Sequence, residues 1–195
     1  VTPKIEHLTK RFGTRVLFQD FNLLLDEPTV LWAASGWGKT TLLRILMGLE
    51  QPDAGCVTDV GRVSAVFQED RLCLHLNAVQ NVQLVLPDGA ARADEIERDF
   101  TRLGMTGENL RLPAARLSGG QKRRCALLRA LWSPSDTLLL DEPFTGMDPA
   151  TMQCAVALLK ERAAARAVLL ASHDRDAIRA LGWRVVEQGG EPYAL

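Results

Sequence analysis

Eight residues, Ala33-Ala34-Ser35-Gly36-Trp37-Gly38-Lys39-Thr40, restrict most strongly what this chain can fold into. Thr29-Val30-Leu31-Trp32 precedes them and reads as a short buried strand, and Leu42-Leu43-Arg44-Ile45-Leu46-Met47 follows with its apolar residues at helical spacing. Strand, Gly-rich turn and helix are what a phosphate-cradling loop requires. Glycines let backbone N–H groups turn inward toward one anion, and the helix N-terminus adds its partial positive charge. At this spacing Lys39 reaches the β- and γ-phosphates and the Thr40 hydroxyl holds Mg²⁺. The stretch departs from G-x-x-x-x-G-K-[ST] once, with Ala33 in place of the first glycine, and Ala carries a penalty wherever φ must be positive. An ordinary Gly-rich turn with a surface lysine is the alternative for this segment taken alone.

A chain of 195 residues can bury one sizeable core and carry an inserted subdomain. The 23 Lys+Arg nearly match the 24 Asp+Glu, which argues against disorder and against a general nucleic-acid surface; an anion is then bound by local geometry. Cys56, Cys73, Cys125 and Cys154 show no C-x-x-C spacing, so reduced thiols are expected rather than a zinc site or a disulfide framework. No apolar run approaches the roughly 18 residues of a membrane span, and no signal-peptide pattern opens the chain.

In order, residues 4–8 and 16–25 read as strands joined by Lys10-Arg11-Phe12-Gly13-Thr14, with Phe12 a partly buried core residue on the residue-level reading. Asp26-Glu27-Pro28 is a turn with solvated carboxylates. Gly48 and Pro52 end the first helix. Residues 62–67 form another strand, running into Gln68-Glu69-Asp70 at its C-terminal end, where ligands gather in open α/β sheets. Residues 77–86 and 91–103 read as helices around the Pro87-Asp88-Gly89 turn, and 104–113 as loop. The stretch from Asp70 to about Arg124 is therefore a mostly helical insertion.

Leu117-Ser118-Gly119-Gly120-Gln121 opens a helix over 125–131. Ser118 and Gln121 match a capping box, but two adjacent glycines exceed what a cap needs and make a second potential phosphate site. Thr137-Leu138-Leu139-Leu140 is a buried strand ending in Asp141-Glu142-Pro143. Two acids there are costly unless they meet a cation or do chemistry, with Asp141 toward Mg²⁺ and Glu142 toward a water. Asp148-Pro149 caps a helix to about 165, residues 167–171 form a strand ending at Ser172-His173-Asp174, and 185–195 close the sheet edge.

This ordered set resembles the ATP-binding subunit of an ABC transporter over essentially the whole chain. The resemblance implies an α/β fold: a P-loop NTPase (RecA-like) core with an inserted helical subdomain and an antiparallel β edge. A single domain is expected over 1–195, with its core about 1–69 and 125–195 and the helical subdomain about 70–124. Phe12 corresponds to the aromatic that stacks on adenine. Ala33, Ala34, Ser35, Gly36, Trp37, Gly38, Lys39, Thr40 and Thr41 correspond to the nucleotide-binding Walker A segment, and Gln68 to the Q-loop glutamine, a metal and catalytic position. Leu117, Ser118, Gly119, Gly120 and Gln121 match the signature. Asp141 is the Walker B metal ligand, Glu142 the catalytic carboxylate, Asp148 a D-loop residue and His173 the switch histidine. Trp37 and Gly146-Met147-Asp148 depart from the usual pattern, and the turn before the phosphate-loop strand lacks the usual glycine.

The resemblance also implies the activity and partners. Such subunits pair head-to-tail around ATP and Mg²⁺, as a homodimer here, and hydrolyse ATP to power a separate membrane permease. They sit at the cytoplasmic face of the membrane, with a solute-binding protein in the full system and no nucleic acid. The segment from Val66 to Leu72 looks most like bacterial importers of the nitrate, sulfonate and taurine kind. The competing readings are a soluble ABC ATPase outside transport and a nucleotide-dependent scaffold; Glu142 and His173 favour hydrolysis. Leu72, Leu74 and Leu76, beside the Q-loop, either line a groove for a permease helix or fill the inserted subdomain's own core.

Overall fold

A computed structural model describes residues 1–34 and 36–188, and the chain divides into two compact units. The first comprises Val1–Ala65, Ser135–Asp141 and the chain from Ala165 onward. It opens with β1 (Lys4–Phe12) and β2 (Arg15–Leu24), antiparallel neighbours, followed by β3 (Thr29–Ala33) and α1 (Lys39–Leu46). β4 (Ala54–Thr58) pairs with the other side of β1, completing a three-stranded antiparallel sheet in the order β2-β1-β4. A second sheet has five strands in the order β5-β6-β7-β3-β8: β5 (Val63–Val66), β6 (Thr137–Asp141), β7 (Ala167–Ala171) and β8 (Arg184–Gln188) join β3. Its β6–β7, β7–β3 and β3–β8 pairings are parallel.

β6 and β7 are buried at every position and β3 at four of five, which is why they read as continuous apolar runs: a parallel sheet is covered on both faces. The core joins Ile5, Leu8 and Phe18 of the antiparallel sheet, Leu42, Leu43, Ile45 and Leu46 of α1, and Leu31, Leu139 and Leu169 of the parallel strands. Each such side chain contributes about 1.5–3 kcal/mol on burial.

The second unit, Val66–Pro134 with Glu142–Ala164, is helical. It holds α2 (Ala78–Gln83), α3 (Ala93–Arg102), α4 (Glu108–Arg111), α5 (Gly119–Trp132) and α6 (Pro149–Ala163). The first unit carries α7 (Arg175–Leu181). Asn81 of α2 is fully buried; its side chain accepts from the Cys73 amide (2.9 Å) and donates to the carbonyls of Cys73, Leu76 and Asn77. One asparagine thus fastens the 73–77 loop. Cys125 is buried and its thiol pKa is pushed up to about 12 by that burial, which makes it inert.

Asp99 of α3 is a buried charge of this unit. It accepts from the Trp132 indole (3.0 Å), from Arg162 of α6 (2.6 Å) and from Arg102 (3.4 Å), while the guanidinium groups of Arg162 and Arg92 lie 4.0 and 4.5 Å from the Trp132 ring centroid. Removing one partner of such a network strands the others. Asp99→Ala is expected to cost about 3–5 kcal/mol, read by urea denaturation. A loss under about 1 kcal/mol would mean that water replaces the carboxylate.

Several local expectations are corrected. Phe12 is not a core residue: it ends β1 and is 49% exposed. The 104–113 loop contains the single turn α4. The 77–86 helix is shorter, since Asn77 is its N-cap and Leu84 its C-cap. β4 and α7 were not anticipated. The edge strand expected over 185–195 is present as β8, and residues 189–195 lie outside the described residues.

Candidate functional site

In a parallel sheet the C-terminal ends of the strands share one edge, and register places Leu31, Asp141 and Ala171 at one level there. The chain leaving β3 re-enters this sheet at β5, on one side, and the chain leaving its neighbour β7 re-enters at β8, on the other, the arrangement that opens a ligand crevice. Ala33 is the last residue of β3, paired with Gln188, and its φ is not positive; the glycine penalty does not arise. Beyond it, Gly36 and Gly38 have φ of 78° and 114°. A Cβ on Gly38 would meet Leu17 Cδ2 at 2.5 Å and Phe18 Cζ at 2.9 Å, so this position requires glycine for both conformation and space. Ser35 lies outside the described residues.

Trp37 packs its ring 4.9 Å from that of Phe18 and 5.6 Å from that of Phe21 between centroids. It anchors the loop on β2 rather than projecting from it. The Arg15 guanidinium also donates to the Gly36 carbonyl. The Lys39 ammonium donates to the carbonyls of Ala33 (2.8 Å) and Ala34 (3.4 Å), turned back over the loop. Thr40, at the start of α1, donates its hydroxyl to Asp141 Oδ2 at 2.7 Å across 101 residues of sequence. Asp141 is buried.

Thr40 and Asp141 therefore offer two hard oxygen atoms side by side, a donor set that suits Mg²⁺. Among the described residues no group of three or more His, Cys, Asp or Glu is placed to hold a metal. A hydroxyl, a carboxylate and phosphate oxygens are how Mg²⁺ is usually held, rather than in an all-protein cage.

Phe12 faces Arg15 across the β1–β2 pair, with the Lys10 ammonium 5.0 Å from its ring centroid. Its exposure leaves an aromatic face available for stacking. His173 is exposed beyond β7, between buried Ser172 and Asp174; Asp174 caps α7 by accepting from the amides of Asp176 (2.9 Å) and Ala177 (3.1 Å).

The remaining sites belong to the helical unit. Glu142 directly follows β6 at φ 47°, a left-handed conformation that costs a non-glycine residue about 1–3 kcal/mol. Its carbonyl accepts from the Thr145 hydroxyl at 3.1 Å. Gln68 is exposed beyond β5. At the N-terminus of α5 both bonds of the capping box are made: Ser118 Oγ accepts from the Gln121 amide (3.3 Å) and Gln121 Oε1 from the Ser118 amide (2.8 Å). Leu117 is buried, and Gly119 has open space where a Cβ would stand. A Cβ on Gly120 would lie 2.8 Å from the Gly146 carbonyl oxygen, so the signature turn and the turn before Asp148 touch through glycine. Asp148 caps α6; the Thr151 hydroxyl (2.6 Å) and amide (2.9 Å) hold its carboxyl below the usual carboxylate range.

Arg15, Arg123 and Arg129 were not singled out in sequence. Their roles rest on side chains reaching carbonyls 21 to 59 positions away, for which no local pattern exists.

Residues 19–145 match a family model described as ABC transporter. Aliphatic sulfonates import ATP-binding protein SsuB 1 of Xanthomonas axonopodis pv. citri is 40% identical over 94% of this chain and 79% of its own length. The protein of the same name from Rhodococcus jostii is 40% identical over 90% of this chain and 74% of its own. Among solved structures, the dimeric structure of MJ0796, a bacterial ABC transporter cassette, superposes with a TM-score of 0.81 at 24% identity, covering 96% of this chain and 94% of that one. A post-hydrolysis state of the same cassette with ADP and Pi gives 0.82 at the same identity and coverage. With a family match over well over half its length, relatives at 40% identity and the corresponding fold, the chain belongs to the ATP-binding family of ABC transporters.

Proposed function

We propose that this chain is the ATP-hydrolysing subunit of an importer, one that pairs head-to-tail with a second copy around ATP and drives a separate membrane permease. The observation that carries the reading is the Thr40–Asp141 contact at 2.7 Å beside Lys39, which brings a phosphate loop and a strand-end acid to one point. A relative's name adds the cargo class, an aliphatic sulfonate; delivery by a solute-binding protein is part of the same proposal. The domain reading is one ATPase domain, its core about 1–69 and 125–195 and its helical insertion about 70–124. The site is at the cytoplasmic face, held there through the permease; no helix among the described residues is long and apolar enough to cross a membrane.

The roles follow from the chemistry of each side chain. Phe12 stacks on adenine, and the amides of residues 34–41 and Lys39 hold the phosphates. Thr40, Asp141 and the Gln68 side chain hold Mg²⁺, which when bound neutralises charge on the phosphate oxygens. Glu142 takes the proton of, or orients, the attacking water. His173 donates to the phosphate being transferred. Leu117–Gln121 and Asp148 serve the nucleotide of the opposite protomer. The test is phosphate release from Mg-ATP by the purified subunit, and ATP-dependent uptake of an aliphatic sulfonate by the subunit assembled with its permease. A subunit that binds ATP without turnover in either setting would overturn the hydrolytic reading.

Leu74 is the proposed permease contact. It is 55% exposed on a loop that Asn81 fastens, and Leu84, 58% exposed, belongs to the same unit. A leucine held outward serves binding better than it serves the core. Leu74→Glu is expected to weaken permease binding about tenfold or more, measured by co-purification and uptake, with ATP binding by the isolated subunit unchanged. Unchanged assembly and uptake would place the contact elsewhere.

A further inference from the structure

We propose that Arg123 is a positioning residue that locks the backbone of Phe67 and Gln68 to the first turns of α5, so that Gln68 and the Ser118–Gln121 turn shift as one piece. The proposal rests on the reading of Gln68 as a residue that holds Mg²⁺ and serves ATP turnover. Residues 67–73 belong to no strand or helix, so their carbonyls have no ladder partners within such an element. Two guanidinium groups of one helix take four of these carbonyls. Arg123 donates from Nη1 to Phe67 O and from Nη2 to Gln68 O (2.7 Å); Arg129 donates to Asp70 O (3.2 Å) and Arg71 O (3.0 Å).

Arg123 is only 6% exposed, with the Asp70 carboxylate 3.3 Å from its Nη1. A buried guanidinium that leaves its acceptors strands a charge and two carbonyls, so the grip is held or broken rather than stretched. Arg71 closes the same turn at φ 45°, with its guanidinium 4.0 Å from the Phe67 ring centroid. The Gln68 side chain is exposed while its carbonyl is held. On the helix side, Arg123 stands three residues after Gly120, a rise of about 4.5 Å along a hydrogen-bonded rod. Displacing the Gln68 backbone therefore displaces the first turns of α5, and the reverse.

The experiment is a double-mutant cycle in the full chain with Mg-ATP: Arg123→Met, Gln68→Ala, the pair, and Arg123→Lys, each checked by thermal melting. Arg123→Met is expected to lower kcat about tenfold with KM for ATP within about twofold. Arg123→Lys keeps the charge but not the fork that bridges two carbonyls, and so is expected to keep most of the loss. It also carries the cycle should the methionine variant not fold. Acting through Gln68, the pair is expected to be no slower than the slower single variant. Losses that multiply in the pair, or wild-type kcat in both Arg123 variants, overturn the inference while leaving the role of Gln68 standing. Wild-type kcat in Gln68→Ala overturns the role of Gln68 and the inference with it.

Discussion

Glu142→Gln is expected to stop ATP turnover, lowering kcat by about 10²–10⁴-fold, while ATP still binds. Asp141 Oδ2 accepts from the Thr40 hydroxyl at 2.7 Å, the contact that makes Asp141 the metal-side acid in the proposed function. The next residue leaves the strand at φ 47°, with the Thr145 hydroxyl on its carbonyl, and the chain turns there before Pro143 and buried Phe144. Backbone strain at an acid that directly follows a buried strand is held in place by its surroundings, and such strain clusters at reactive positions. Glutamine matches the shape and hydrogen-bonding length of glutamate but cannot take a proton. The fold and the nucleotide contacts are therefore expected to survive. Phosphate release reads the loss, nucleotide retention reads binding, and an ATP-dependent dimer should accumulate by size exclusion with light scattering. Undiminished turnover would remove Glu142 from the mechanism.

What was legible in the sequence was local. The proposed phosphate loop lies in one continuous strand–turn–helix, and three leucines run up to Asp141, so both read directly. The caps at Ser118 and Asp148 were also local, and the structure makes each of their bonds. β4 was illegible for the opposite reason. Ala54-Gly55-Cys56-Val57-Thr58 has no alternation, is mostly exposed, and exists because β1 offers it an edge. Gly55 marks that pairing: at φ 85°, a Cβ there would meet the carbonyl oxygens of Glu6 and His7 at 2.5 Å. For α7 the signals were present, with Asp174 as N-cap and Gly182 at φ 60° as C-cap, but seven residues gave too short a period to register.

Phe12 shows the limit of burial arguments. An aromatic beside a turn is ordinarily core, and only the register of β1 against β2 places this one at the strand end in solvent. Trp37 shows the converse: a bulky residue in a phosphate loop looks disruptive until Phe18 and Phe21, far upstream, supply its pocket. The straps of Arg123 and Arg129 are of the same non-local kind. Spacing names the residues of a motif; which backbone holds them depends on contacts that spacing does not encode.

Lys39→Ala is expected to weaken Mg-ATP binding by about 2–4 kcal/mol, roughly 30- to 1,000-fold. The ammonium already lies over the loop, donating to Ala33 O and Ala34 O, and its position requires only a swing of the side chain to reach a phosphate. A charge-assisted bond to an anion exceeds a bond to a neutral carbonyl, so the lysine is expected to exchange partners when nucleotide binds. Removing it should cost the fold little, because Ala34 is exposed and its carbonyl can meet water. Trp37 is expected to supply the signal: its ring is fixed against Phe18 and Phe21 within the proposed phosphate loop. Titrating Mg-ATP against wild type and Lys39→Ala by tryptophan fluorescence gives the two affinities. Trp37→Phe, which keeps an aromatic in the same pocket, is expected to abolish the signal without abolishing binding by calorimetry, which assigns the change to Trp37 among the four tryptophans. Negligible binding by wild type would overturn the phosphate loop itself. Equal, tight binding by both proteins would leave the loop and remove Lys39 from it.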